Sequence, residues 1–131
     1  DLHFASVGEV TYHLISSTGQ RRADLSPARY IRASYAPAFD AAHAQALPEM
    51  SATPFASGQE AAVAGLLQSL GGAAFVLDRT AATLIETGKF TAVTDVEPIS
   101  QPVYVMMHQR HRPQRMHKRL TKTVLKVFGG R

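Results

Sequence analysis

Three groups of side chains have types and spacings that suit chemistry. Ser57, Gly58 and Gln59 stand just before an apolar helix-forming run, AAVAGLLQSL, where free amides and the helix dipole favour an anion. Ser57 and Glu60 also have capping-box spacing: the Ser57 hydroxyl would accept from the Glu60 amide, and the Glu60 carboxylate would reach back to the Ser57 amide. Capping and ligand contact do not exclude each other. Arg32 and Arg79 are the cations available to an acidic ligand, although an arginine on a strand edge is more often simply solvated. Ser34 and Tyr35 close one strand-like segment, Phe55 precedes the capped helix, and Leu77, Asp78 and Thr80 close another strand. Core packing is the competing role for Tyr35 and Phe55, and a plain loop position for Asp78.

Other chemistries are excluded or poorly supported. The chain has no cysteine, which rules out disulfides and thiolate metal sites. His108, His111 and His117 lie among cations that repel a divalent ion, with no carboxylate nearby to complete a shell, so no metal site is expected. No nucleophile elbow, Walker loop or recognisable carboxylate pair occurs, and His13, His43 and Glu9 are scattered over separate segments. The expectation is a binding module without catalytic residues or cofactor, not an enzyme.

These residues are positioned by alternating strands and helices. Residues 57–96 read as a capped apolar helix, a glycine pair, a buried strand (AAFVL), a second helix capped by Thr80 and ended by Gly88, and a further strand near 90–93. Residues 10–16 (VTYHLIS), 30–34 (YIRAS) and 102–108 (PVYVMMH) are strand candidates, and Ser26-Pro27 can start a single helical turn. Pro37 opens a helix that runs to about Leu47 and is closed by Pro48. Strand–helix alternation of this kind implies parallel pairing through right-handed crossovers, with ligands beyond the carboxyl ends of the strands. The expected fold class is α/β, a three-layer sandwich whose mainly parallel sheet is flanked by helices.

The 131 residues suffice for one ordinary core, and a 45% hydrophobic content is globular. Charge is uneven. Residues 1–107 carry six Lys/Arg against ten Asp/Glu, whereas residues 108–131 carry eight Lys/Arg and no acid. In that tail Pro113 starts a helix through Phe128, with Met116, Leu120, Val124 and Val127 on one stripe and Arg115, Arg119, Lys122 and Lys126 nearly opposite. This is the pattern of a docked surface helix. A phosphate-tracking or membrane-surface role is the alternative, but no aromatic residue interleaves the basic ones. No segment has the roughly 20 consecutive apolar residues of a membrane helix. The helix at 61–70 is apolar on more than one face, so it requires a second cover, and a partner subunit is the natural one.

The order of these pieces resembles the effector-binding domain of LysR-type transcriptional regulators. VTYHLISS resembles the family's crossing strand, LLQSLGGAAFVL its helix, glycine pair and apolar strand, and LIETGKFTAV its apolar-Glu-Gly-Lys/Arg segment. Pro102-Val103-Tyr104 followed by RHRPQRMHKRL resembles the return strand and final helix, and YIRASYAPAFDAAHAQALPE resembles one branch of the family. Two departures fall at the expected cleft: Leu77-Asp78 stands where members usually place a proline, and Tyr35-Ala36 where the branch has aromatic-Gly.

The resemblance implies a lobe similar to type II periplasmic binding proteins. Residues 1–16 would be the end of lobe one and a hinge strand, 17–101 the effector-binding lobe two, and 102–131 the return hinge strand and C-terminal helix of lobe one. It implies a cytoplasmic regulatory fragment that binds a small metabolite, anionic ones included, between two lobes. Arg32, Ser34, Tyr35, Phe55, Ser57, Gly58, Gln59 and Asp78 are the expected contacts. It further implies a homodimer or tetramer that reaches promoter DNA only through a helix-turn-helix domain this chain lacks, and no membrane partner. A solute-binding lobe for transport is the alternative, and the residues preceding Asp1 would separate the two.

Overall fold

A computed structural model describes residues 2–108, with side chains described for 8–103. The expected tail helix lies outside the described residues, and the three tail histidines, at which no metal site is expected, lie outside the described side chains. The chain divides into two compact units, Thr11–Ile99 and a second built from Asp1–Val10 with Ser100–Arg131.

Strand β1 (Leu2–Ser16) is longer than its β-branched segment at 10–16 suggests. A single turn at Pro27–Arg29, with proline at its start, leads to β2 (Ile31–Ala33). Helix α1 (Pro37–Ala46) begins at Pro37, whose missing amide costs nothing there, and stops before Pro48, which cannot continue it. Its buried positions, Phe39 and His43, are one helical turn apart. A short strand β3 (Phe55–Ser57) precedes α2 (Glu60–Leu70), which ends on Gly71 at φ 72°. Strand β4 (Ala73–Leu77) follows, then α3 (Asp78–Glu86), β5 (Thr91–Ala92) and β6 (Ile99–His108). Helix α3 starts two residues before Thr80, which therefore does not cap it; Leu77 is the capping position and uses no side chain.

The expectation of a mainly parallel sheet is corrected. In the four-stranded sheet β4 and β5 flank β1, and both pair with it antiparallel, from Tyr12↔Leu77 to Ser16↔Ala73 on one side and through Ile15↔Ala92 on the other. Strand β6 also pairs with β1. Among the described residues, parallel pairing joins β2 to β3 and Tyr30 to Ala73 through a single bridge. The physical reason is an inserted strand. β4 and β5, joined by the α3 crossover, run in the same direction, but β1 lies between them in the opposite sense and takes their hydrogen bonds.

The core of the Thr11–Ile99 unit is built on side-chain alternation. Tyr12, Leu14 and Phe75 share one sheet face, on which Phe39 of α1 meets Phe75 edge-on at 5.8 Å. Helix α2 packs against β2, β3 and β4 through Val63 and Leu67, both fully buried. That stripe is the fully covered one. Leu66 is partly buried, while Ala61, Ala62 and Leu70 are exposed.

His43 is buried in this core and shares a 2.6 Å hydrogen bond with the Tyr30 hydroxyl. Burial, and then the Arg32 guanidinium, hold its pKa below the ordinary imidazole value. A group depressed in the fold contributes stability that is complete above its unfolded pKa of about 6.5 and is lost as pH falls through the folded value. The melting temperature is therefore expected to drop between pH 7 and pH 5, and His43→Gln to flatten that drop. An equally steep fall in the variant would contradict this role.

Candidate ligand-binding site

The carboxyl ends of β2, β3 and β4 lie on one edge, because β2 runs parallel to β3 and, through the Tyr30 bridge, to β4. The Ser34 amide donates to the Ser57 carbonyl at 2.9 Å. A side chain at Gly58 would place its Cβ 3.2 Å from the Ser34 carbonyl oxygen, so this close crossing of two strand ends suits glycine. The Leu77 amide at the end of β4 donates to Glu60 Oε2 at 3.0 Å. Tyr35 turns back over the sheet, and its hydroxyl donates to the Phe75 carbonyl at 2.7 Å. Its ring stacks on Tyr12 with centroids 4.5 Å apart and 19° between planes, and Phe39 closes the cluster edge-on to Tyr12. Asp78, next after Leu77, meets His13 Nε2 at 2.7 Å.

Ser34, Tyr35, Ser57, Gly58, Gln59 and Asp78 thus occupy neighbouring strand ends and helix starts. Phe55 does not join them. It begins β3 opposite Ile31 and is 39% exposed, and with Ala28, Arg29, Ile31, Leu70 and Gly71 it lines a separate groove of about 170 Å³. Arg32 sits mid-strand opposite Ala56, and its charge acts on Tyr30 and His43 rather than on the strand ends. Arg79 is exposed in the first turn of α3.

The capping box is also corrected. Gln59, not Ser57, is the capping position of α2, and the Ser57 hydroxyl accepts from the Gln59 amide at 3.1 Å in a local turn. β3 continues through Ser57 by pairing with Ala33, which delays the helix by two residues. The Glu60 carboxylate, freed from its local partner, reaches across to β4 instead.

Electrostatically the edge is acidic. Burial, then the charge of Glu60, raise the Tyr12 hydroxyl above its ordinary pKa, and Tyr35 is raised by the same two causes. Both therefore stay neutral near pH 7. Asp40, in the first turn of α1, accepts from the Ser34 hydroxyl at 2.8 Å through Oδ2, and its Oδ1 is buried with no hydrogen-bond partner among the described residues. Tyr12, Asp40 and the cross-chain role of Glu60 were not legible as site features. Tyr12 is a mid-strand aromatic whose neighbours are set only by pairing with a strand more than 60 residues away. Among the described residues no group of three or more His, Asp or Glu is arranged to hold a metal ion. No described helix is long and apolar enough to cross a membrane.

The chain has the α/β fold of the effector-binding domain of LysR-type transcriptional regulators. It is similar to LysG of Corynebacterium glutamicum with bound effector Arg, at a TM-score of 0.63 and 16% identity over 95% of this chain and 46% of that one. Full-length HypT of Salmonella typhimurium, a hypochlorite-specific regulator of this type, gives 0.67 and 12% over 99% of this chain and 47% of that one. The OxyR2 regulatory domain of Vibrio vulnificus, as a C206S mutant, gives 0.63 and 11% over 96% and 66%. The chain thus spans a little under half of the full-length regulators it matches. Neither a family model nor a curated protein matches it by sequence.

Proposed function

We propose that this chain is part of the effector-sensing regulatory domain of a LysR-type regulator, a non-enzymatic cytoplasmic sensor that binds a small molecule and controls transcription. The observation that carries the reading is the shared strand edge, where Ser34 meets Ser57 and Glu60 meets Leu77. In open sheets with crossover connections this edge is where ligands bind. Ser34, Tyr35, Ser57, Gly58, Gln59 and Asp78 are its contacts from this side. Residues 17–101 form lobe two, residues 1–16 and 102–131 supply the hinge strands and the end of lobe one, and helices cover both sheet faces in a three-layer arrangement. The separation of Thr11–Ile99 as its own compact unit supports this division. So does the likeness to regulators described as bound to Arg or specific for hypochlorite.

A ligand that prefers one lobe arrangement shifts the population toward it, and the two crossing strands pass that shift to a DNA-binding domain elsewhere in the longer protein. The exposed outer side of α2, with Ala61, Ala62 and Leu70, is the surface through which regulatory domains would associate as a dimer or tetramer. The coding sequence upstream of Asp1 tests the reading. A helix-turn-helix is expected there, and an export signal instead would make the chain a transport lobe.

A further inference from the structure

We propose that the ligand presents a positively charged amine or guanidinium group to this strand edge, held between the Glu60 carboxylate and the Tyr12–Tyr35 ring pair. The inference rests on the sensor reading above and reverses the sign of ligand that Ser57, Gly58 and Gln59 suggest by themselves. An anion at the start of α2 would be drawn by the helix dipole, but the first helical residue is Glu60, whose own carboxylate already occupies that end. One of its oxygens is bound by the Leu77 amide; the other accepts no hydrogen bond among the described residues. An added anion would meet this charge directly, and an added cation would find an acceptor held in place by the end of β4.

The aromatic side of the strand edge has the same preference. Tyr12 lies opposite Leu77 in the β1–β4 register, so it stands next to the backbone group that holds Glu60. Tyr35 is fixed against it by stacking and by its bond to the Phe75 carbonyl. Aromatic ring faces are electron-rich and attract cations, most strongly where water is partly excluded. Both rings remain protonated near neutral pH, and because they stack on each other a cation is met by an outer face of the pair. Asp40, which accepts from the Ser34 hydroxyl, adds a second carboxylate to this edge. No described lysine or arginine stands within ion-pair distance of Glu60 or Asp40, so their negative charge is not neutralised by the unit itself.

Calorimetric titration of the 131-residue chain at low ionic strength, with agmatine as the cationic probe and malonate as the anionic one, tests this. Saturable agmatine binding without malonate binding is expected. Glu60→Gln keeps an acceptor for the Leu77 amide, and it is expected to weaken agmatine about tenfold, with Tyr12→Leu weakening it about threefold. Equal agmatine affinity in both variants, or no agmatine binding up to millimolar concentration, overturns the proposal. Binding of malonate alone also overturns it but leaves the sensor reading standing, since that reading fails on the upstream sequence and not on the sign of the ligand.

Discussion

A single methyl group at Gly72 is expected to destabilise the fold by roughly 3–5 kcal/mol, the sum of a left-handed backbone that an L side chain resists and an overpacked contact. Gly72 has φ 102°, and a Cβ there would fall well inside van der Waals distance of the Arg29 carbonyl oxygen, a backbone atom with little room to retreat. The strain has no local outlet, because Gly72 is pinned on both sides. Its amide donates to the Ser17 hydroxyl at 2.8 Å, and its carbonyl accepts from the Ser17 amide at 2.9 Å. This bend lets α2 turn directly into β4, so the strand that presents Leu77 depends on it. Gly65, inside α2, is the matched control: an added Cβ meets nothing within 4 Å, and Gly65→Ala is expected to stabilise by about 0.5–1 kcal/mol. Urea unfolding measures both. A Gly72→Ala chain within about 1 kcal/mol of wild type would mean that the bend is not constrained as described.

Phe75→Ala is expected to cost about 3–5 kcal/mol, the usual range for emptying a fully buried aromatic position. The ring is completely buried and meets Phe39 and His43 of α1 edge-on at 5.8 Å each. Removing it takes away the sheet side of the packing that seats α1, and the Phe75 carbonyl is the acceptor that orients Tyr35. Against a typical total stability of about 5–15 kcal/mol, that loss removes roughly a fifth of the total or more. Phe55, the same residue type at 39% exposure on an edge strand, serves as the comparison, and its alanine variant is expected to lose under about 1 kcal/mol. A Phe75→Ala melting temperature within a few degrees of wild type would show that α1 is held by other contacts.

How much of this was legible depended on how local the determinants are. Helix α1 could be read almost to the residue because prolines mark both its ends, and β4 because four consecutive buried positions follow two glycines that stop α2. The antiparallel insertion of β1 was not legible. Its register joins Tyr12 to Leu77 and Ile15 to Ala92, pairings set by tertiary packing with no local signature. The capping box failed for a related reason. Ser57 and Glu60 have the right spacing, but β2 recruits Ser57 into a strand and β4 offers Glu60 a backbone amide. Helix α3 begins at Asp78 because the chain turns into helix without a loop, so the Thr80 cap signal came two residues late. The clustering of positions 34, 57 and 78 was readable because it follows from strand direction alone. Phe55 was misplaced because one short strand separates the two ends of β3, and Tyr12 was missed because its partner strand was unknown.

The central claim is that these strand ends form the ligand-contacting side of a sensor. Amide chemical-shift mapping of the chain tests it most directly, using the compound that most raises its melting temperature in a screen of amino acids, amines and carboxylic acids. Residues 12, 34–36, 57–60 and 77–79 are predicted to carry the largest shifts. Shifts concentrated instead at Ala28, Arg29, Phe55, Leu70 and Gly71, or spread without focus over the unit, would contradict the account.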